Sequence, residues 1–148
     1  MPVTSWSTTA SANATADSAS GIIFSEGQAP SSLNDSMRAL MAVIKGDFAN
    51  SLAGTGYQKL PNGLILQWGT TVGTTNANGN FVITFPIAFP TAVRTVIPVN
   101  GDQEVITLGA QSIGVINSVT TTTSFAVSVR PNPGSGAGFR INWLAIGQ

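Results

Sequence analysis

The stretch Phe139-Arg140-Ile141-Asn142-Trp143-Leu144-Ala145 decides the fold of this 148-residue chain. Every second residue in it, from Phe139 to Ala145, is apolar, and a period of two is typical of a β-strand with one face in a core. Trp143 falls on this apolar face, so we interpret it as a core residue and not as a sugar-binding ring. The stretch therefore predicts one strand of a sheet.

The same period recurs in five stretches before it. The residues that share one face in each are Leu64, Leu66 and Trp68; Phe81, Ile83 and Phe85; Val93, Thr95, Ile97 and Val99; Ile113, Val115, Asn117 and Val119; and Phe125, Val127 and Val129. Trp68 is interpreted as a core residue on the same ground as Trp143. Turn residues separate the stretches, and Asn76-Ala77-Asn78-Gly79 is a hairpin signal. No helical period interrupts them, so we predict a mainly β, antiparallel β-sandwich head over residues 55–148.

One amphipathic α-helix is predicted ahead of the strands, over about residues 32–50. Ser32, with Asp35 three residues later, resembles a capping box at its start. Six apolar residues form a stripe along one side: Leu33, Met37, Leu40, Met41, Ile44 and Phe48. A helix of this length is not stable alone in water. We therefore expect the stripe to pack either on the chain's own sheet or on copies of the same helix.

The residues before the helix are mostly Ser, Thr and Ala and hold too little apolar area to fold alone. They form either a disordered tail or an extended segment that is ordered by docking onto another subunit. In the second case the anchors are the apolar residues Trp6, Ile22, Ile23 and Phe24. We therefore divide the chain into residues 1–54, for attachment and self-association, and residues 55–148, the head.

Charge and composition exclude several classes of function. The chain has six basic and six acidic residues and no net charge, which argues against nucleic-acid binding. It has no Cys and no His, so thiolate and imidazole chemistry are excluded, and we expect no metal and no cofactor. No apolar run approaches the roughly 20 residues of a membrane span, so we expect no membrane insertion. The N-terminus does not read as a signal peptide, which predicts synthesis in a cytoplasm.

Catalysis is not expected either. A glycan-cleaving site needs two acids, and Asp102 and Glu104 are two positions apart, but their setting after Asn100-Gly101 is typical of a solvated loop. The glycine-rich run 134–138 precedes a strand instead of a helix, so it is interpreted as a hairpin tip and not as a phosphate site. We predict that the chain has no catalytic residues and is not an enzyme.

Candidate contact residues lie in loops, where binding residues concentrate. They are Asn78, Asn80, Asn100, Asp102, Gln103, Thr121 and Thr122.

Two parts of the sequence resemble bacteriophage tail proteins. IFSEGQAPSSLNDSMRALMA, residues 23–42, resembles a motif near the virion-attached end of many tail and tail-fibre proteins. The head resembles the C-terminal domain of many tail fibres, which is similar to trimeric receptor-binding tips and more loosely to H-type lectins. The matching stretches of the head are YQKLPNGLILQWG (57–69), FPIAFPTAV (85–93) and NWLAIG (142–147).

The resemblance implies a homotrimer on the tail of a virion, assembled in the host cytoplasm and carried on other phage tail or baseplate proteins. Its head would adhere to a host cell-surface glycan or an outer-membrane protein. Many tail fibres have a long shaft between the two parts, whereas here residues 48–56 join them directly, which favours a short fibre. Some hold metal in a His-x-His tip, for which this chain has no residue. The alternative is a purely structural baseplate or tail-tip component that contacts other virion proteins.

Overall fold

The computed structural model of the chain describes residues 6–13, 22–25, 27–101, 112–136 and 138–148. The chain divides into two compact units, Met1–Ala49 with Lys59–Leu64, and Asn50–Gln58 with Ile65–Gln148. The elements, in chain order, are a 3-10 turn Ala10–Asn13, α1 Pro30–Asp47, β1 Asn50–Ser51, β2 Gly56–Lys59, β3 Ile65–Thr74, β4 Asn80–Thr84, β5 Val93–Asn100, β6 Ser112–Val115, a 3-10 turn Asn117–Val119, β7 Ser124–Arg130 and β8 Gly138–Gly147. The prediction of a mainly β, antiparallel protein with one helix is confirmed.

Helix α1 begins two residues earlier than predicted. Ala29 is its N-cap residue and Pro30 its first residue, a position that proline favours because the missing N–H has no partner there. The Ser32 hydroxyl donates a hydrogen bond back to the Ala29 carbonyl at 2.8 Å. The prediction of a capping box at Ser32 is therefore wrong. The helix also ends earlier, at Asp47, and Asn50 already belongs to β1.

A buried hydroxyl holds the residues before α1 against the helix. Ser36 is 2% exposed, and its Oγ donates to the Ile23 carbonyl at 2.9 Å. The same oxygen accepts hydrogen bonds from Ile23 N at 3.3 Å and from Gln28 Nε2 at 3.0 Å. Ile22 is 4% exposed, so this segment belongs to the packing of its own unit.

The second unit consists of two antiparallel sheets around one core. The larger sheet has the strand order β1-β2-β3-β8-β5, and the smaller one has the order β4-β7-β6. Strand β8 is central: it pairs with β3 over ten residues, from Ile65 opposite Gly147 to Thr74 opposite Gly138, and with β5 on its other side. Side chains from both sheets form the core, which is the result expected when each sheet has one apolar face.

Four aromatic rings lie at the centre of this core. They are Phe85, Phe89, Phe125 and Trp143, with neighbouring ring centroids 5.0–5.7 Å apart. Three of the four contacts are edge-to-face, a geometry that the ring quadrupole favours. Trp143 is 4% exposed and donates its indole N–H to Thr71 Oγ1 at 3.2 Å, so its interpretation as a core residue is confirmed.

The face of β3 that lies against the core is not the one that its apolar residues predict. Ile65, Gln67 and Gly69 are buried, whereas Leu66 and Trp68 are half-buried on the outer face. The interpretation of Trp68 as a core residue is therefore wrong. Its indole N–H instead donates to the Ala53 carbonyl at 3.1 Å. The apolar pattern misled because the core face of this strand carries an amide and a glycine, each required by a specific neighbour.

Two further strands differ from their predicted form. In β5 the register with β8 shifts between Val93 and Thr95, so Val96 packs on the core while Ile97 and Val99 face outward, 51% and 56% exposed. The strand predicted through Ile113 to Val119 ends at Val115 and is followed by the 3-10 turn Asn117–Val119. A single irregular residue is enough to reverse the faces that a period of two assigns.

The turn Asn76–Gly79 forms as expected, with Gly79 at φ +70°. The strands on either side of it do not form a hairpin, because β3 belongs to the larger sheet and β4 to the smaller one. The connection from β7 to β8, interpreted from sequence as a hairpin tip, likewise crosses from the smaller sheet to the larger. In both places the turn residues are predicted correctly, but the predicted pairing of the flanking strands is wrong.

Candidate functional site

The candidate contact residues lie at opposite ends of the second unit. Strand β3 ends close to where β4 and β8 begin. The turn Asn76–Gly79, the segment 131–136 and Asn100 therefore all lie at the same end of the second unit. We call this the Asn78 end, and it also contains Asn80. Thr121 and Thr122 lie at the other end, which we call the Thr122 end. Asp102 and Gln103 lie outside the described residues.

The Asn78 end is held together by hydrogen bonds between its two crossing segments. Arg130 Nη1 donates to the Asn78 carbonyl at 2.8 Å, and Asn132 Nδ2 donates to the Ala77 carbonyl at 2.9 Å. Asn76 Oδ1 accepts hydrogen bonds from the backbone N–H groups of Asn78 and Asn80 at 2.9 and 3.1 Å. The turn is therefore fixed in place, and the exposed Asn78 side chain projects from a rigid support.

A cleft of about 470 Å³ lies at the Thr122 end. Its lining residues are Thr91, Ala92, Val93, Arg94, Asn117, Thr120, Thr121 and Thr122. The cleft is open to solvent, and more of its lining is polar than apolar. The cleft thus combines Thr121 and Thr122, which were predicted from sequence, with residues that no sequence pattern singles out.

The walls of the cleft are fixed by contacts with the core. The loop 85–90 donates two backbone hydrogen bonds, from Phe85 N to the Thr123 carbonyl and from Phe89 N to the Thr122 carbonyl, each 2.9 Å long. The same loop is bonded at Ile87 to the buried amide of Gln67. Phe85 and Phe89 also belong to the central ring cluster. A site with walls held in this way loses little conformational entropy when it binds a ligand.

Some polar side chains of the cleft form hydrogen bonds within the protein and others do not. Thr121 Oγ1 accepts hydrogen bonds from the backbone of Thr123 and Ser124, at 3.3 and 3.1 Å. Thr120 Oγ1 donates to the Ile116 carbonyl at 3.1 Å. Among the described residues, no partner is found for four other polar side chains of the cleft: Arg94, Thr91, Asn117 and Thr122.

The charged side chains that the structure describes in the second unit are all arginines. Its described residues include Arg94, Arg130 and Arg140 but no Asp or Glu. Arg130 is engaged with the turn at the Asn78 end, and Arg140 also has an interaction partner. Over the described ranges of the chain, no group of three or more His, Cys, Asp or Glu side chains is placed to hold a metal ion. The chemistry that this cleft offers is therefore hydrogen bonding around one guanidinium group.

The larger sheet has an apolar row on its outer face. Trp68 of β3 lies opposite Leu144 of β8, which lies opposite Ile97 of β5. Leu144 and Ile97 are 39% and 51% exposed. We call these three residues the outer row. Side chains that stand opposite each other across strands form a continuous surface, so the outer row is an uncovered apolar strip three strands wide.

The first unit also exposes apolar side chains. Five of the six predicted stripe residues of α1 are 40–68% exposed, namely Leu33, Met37, Met41, Ile44 and Phe48, and Leu40 is half-buried. Among the predicted anchors, Ile23 and Phe24 are each 37% exposed, and Trp6 is half-buried. Across the part of the chain that the structure covers, no helix has both the length and the hydropathy to cross a bilayer.

Residues 59–148 match the family described as "Putative tail fiber protein gp53-like, C-terminal". Comparison with curated protein sequences finds no match. Among solved structures, the chain is similar to an N-truncated R2-type pyocin tail fibre, with a TM-score of 0.53 and 27% identity over 75% of this chain. It is also similar to a C-terminal fragment of the P. aeruginosa R2 pyocin fibre, with a TM-score of 0.52 and 25% identity over 75% of this chain. The aligned region spans 42% and 29% of those two chains.

Proposed function

The chain belongs to the gp53-like tail fibre family, and from that membership we propose that it forms the tip of a tail fibre that adheres to the surface of a host bacterium. The observation that carries the proposal is the cleft at the Thr122 end: the backbone of Thr122 is hydrogen-bonded to a loop of the core, and four polar side chains of the cleft have no partner among the described residues. Loops held by a rigid scaffold are the usual place for recognition. A tail fibre tip needs such a preformed site because it must bind on encounter.

We propose that the chain acts as a homotrimer. Two uncovered apolar surfaces support this: the stripe of α1 and the outer row Trp68–Leu144–Ile97. Apolar surface that remains exposed is destabilising in water unless a partner covers it. A second copy is a suitable partner for the stripe, because the charged residues of α1 (Asp35, Arg38, Lys45 and Asp47) sum to zero and no net charge on the helix opposes the approach of a copy.

Attachment to other tail or baseplate proteins is assigned to the N-terminal unit. The exposed Ile23 and Phe24 are suited to it, because the Ser36 hydroxyl fixes the backbone of Ile23 and so presents both side chains without further ordering. Adhesion by the head is reversible binding without catalysis or cofactor. Each trimer would carry three copies of the cleft, so weak single sites would add up through multivalency.

Two measurements test this proposal together. Light scattering on the purified chain should give three times its 15.2 kDa mass. The fluorescently labelled chain, incubated with a panel of Gram-negative bacteria that includes P. aeruginosa, should bind some strains in a saturable manner, and unlabelled chain should compete.

A monomer at all concentrations would contradict the trimer. A trimer that binds no strain, although deletion of the protein prevents tail assembly, would favour the purely structural role at the baseplate.

A further inference from the structure

The polar residues of the cleft surround a guanidinium group that has no partner in the described structure. Arg94 is exposed on β5, and it shares the cleft with Thr91, Asn117 and Thr122, whose side chains are equally unengaged. A guanidinium group presents a planar set of donors that matches a carboxylate or a phosphate in two parallel hydrogen bonds. The arrangement is therefore suited to a ligand with one anionic group.

The remaining groups indicate what the anionic group is attached to. The hydroxyls of Thr91 and Thr122 donate and accept, and the Asn117 amide does both at separate atoms. Such a set matches the hydroxyl groups of a sugar, each of which is itself both donor and acceptor. The apolar part of the lining, Ala92 and Val93, supplies a small surface for the C–H groups of a sugar ring.

No Asp or Glu side chain is described in the second unit, so none described there pairs with Arg94. The main-chain oxygen of Gln148, which lies beside the cleft, already accepts hydrogen bonds from the N–H groups of Thr91 and Ala92. An exposed guanidinium group loses part of its hydration when an anion binds, and that cost is smaller than for an ammonium group.

We propose that the cleft binds an acidic saccharide, with Arg94 on its carboxylate or phosphate group and Thr91, Asn117 and Thr122 on its hydroxyls. This inference rests on the proposed adhesion function and names the class of ligand for the same site. A carboxylated sugar and a phosphorylated sugar share the required chemistry, and the experiment below separates them.

The test measures binding of three small probes to the purified chain by NMR titration: methyl glucuronide, glucose 6-phosphate and methyl glucoside. At least one of the charged probes should bind at millimolar concentration and shift signals from the cleft, and methyl glucoside should bind at least about tenfold more weakly. A preference for the glucuronide identifies a carboxylated ligand, and a preference for the phosphate identifies a phosphorylated one.

Two variants assign the contact. Arg94→Gln should weaken binding of the charged probe about tenfold or more and leave that of methyl glucoside unchanged. Arg38→Gln, which removes an exposed arginine from α1, should leave all three unchanged. Thermal unfolding of both variants verifies that they are folded.

The inference is overturned if the uncharged glucoside binds as well as the charged sugars, if Arg94→Gln binds them as tightly as the unmodified chain, or if no probe binds. Because the assay uses purified protein and small probes, these outcomes are distinct from a failure of the whole-cell adhesion assay.

Discussion

Gln67 and Ile87 are joined by two hydrogen bonds that run in opposite directions. Gln67 Nε2 donates to the Ile87 carbonyl at 2.9 Å, and Ile87 N–H donates to Gln67 Oε1 at 3.1 Å. Gln67 is fully buried in the core face of β3. Its amide therefore gives the loop 85–90 the pair of hydrogen bonds that a neighbouring strand would give, and the same loop donates a hydrogen bond from Phe89 N to the carbonyl of Thr122, a residue of the cleft.

Gln67→Met should destabilise the chain by about 1–3 kcal/mol, because the new side chain has a similar volume but leaves the Ile87 backbone groups without partners. Chemical denaturation measures the loss. Leu66→Met, at the half-buried neighbouring position, removes no side-chain hydrogen bond and should cost less than about 1.5 kcal/mol. Equal denaturation midpoints for Gln67→Met and the unmodified chain would show that the amide is not needed.

Gly69→Ala should also destabilise the chain, by about 1–3 kcal/mol. A Cβ at this position would lie 2.7 Å from Cζ2 of Trp143 and 2.8 Å from Cγ2 of Thr55, so the tryptophan ring would have to move. Unfolding followed by tryptophan fluorescence measures the loss. Gly114→Ala in β6 is the control, because a Cβ there meets nothing within 4 Å. The explanation fails if both variants change stability equally.

These two residues show where a sequence pattern has its limit. The period of two predicted the antiparallel β architecture and the core position of Trp143 correctly, because burial of one face imposes that period. It chose the wrong face of β3, because Gln67 and Gly69 are in the core for reasons that involve single partners far away in the sequence. The helix was also predicted, whereas the role of Ser36 depends on the folded-back segment at Ile23.

For the cleft, the sequence indicated Thr121 and Thr122 from their place in a loop. The sequence does not mark Arg94 and Asn117 as contact residues, because the alternation of apolar residues places both in predicted strands. Their meeting depends on the shift of register in β5 and on the 3-10 turn after β6. Neither irregularity has a marker in the residue pattern.

Asn132→Ala should loosen the Asn78 end. The change removes the hydrogen bond to the Ala77 carbonyl and the acceptor for Gly134 N–H, so we expect a loss of about 1 kcal/mol and faster amide exchange in the turn 76–79. Hydrogen exchange measured by NMR gives both the loss of stability and the exchange rates of the amides in the turn. Ser135→Ala, an exposed change in the same segment, should leave exchange in that turn unaltered. Unchanged exchange in Asn132→Ala would mean that Arg130 and Asn76 hold the turn without it.

Ile44→Glu should weaken self-association through α1, because it places an unpaired carboxylate in the apolar stripe. We expect the mass measured by light scattering at micromolar concentration to fall from three chains towards one. Ala42→Glu introduces the same charge on the opposite side of the helix and should leave the mass at three chains. If Ala42→Glu lowers the mass as much as Ile44→Glu does, the stripe is not the contact surface.

Ile97→Lys tests the outer row separately. A lysine at the centre of an apolar contact between copies should raise the concentration at which the trimer dissociates by about tenfold or more. Sedimentation velocity over a range of concentrations measures it. Val82→Lys, at a position 65% exposed in β4 of the smaller sheet, is the matched control. Identical behaviour of the two variants would remove the outer row from the proposed interface.

The central position of β8 has a consequence for the timing of folding during synthesis. Residues 65–74 pair with residues 138–147. Strands β3 and β5 therefore lack β8, the strand that lies between them, until Gly147 has left the ribosome. Contacts of such long sequence separation form slowly. The larger sheet must therefore close after translation of this region, and until then β3 and β5 expose pairing edges that a neighbouring nascent chain can reach.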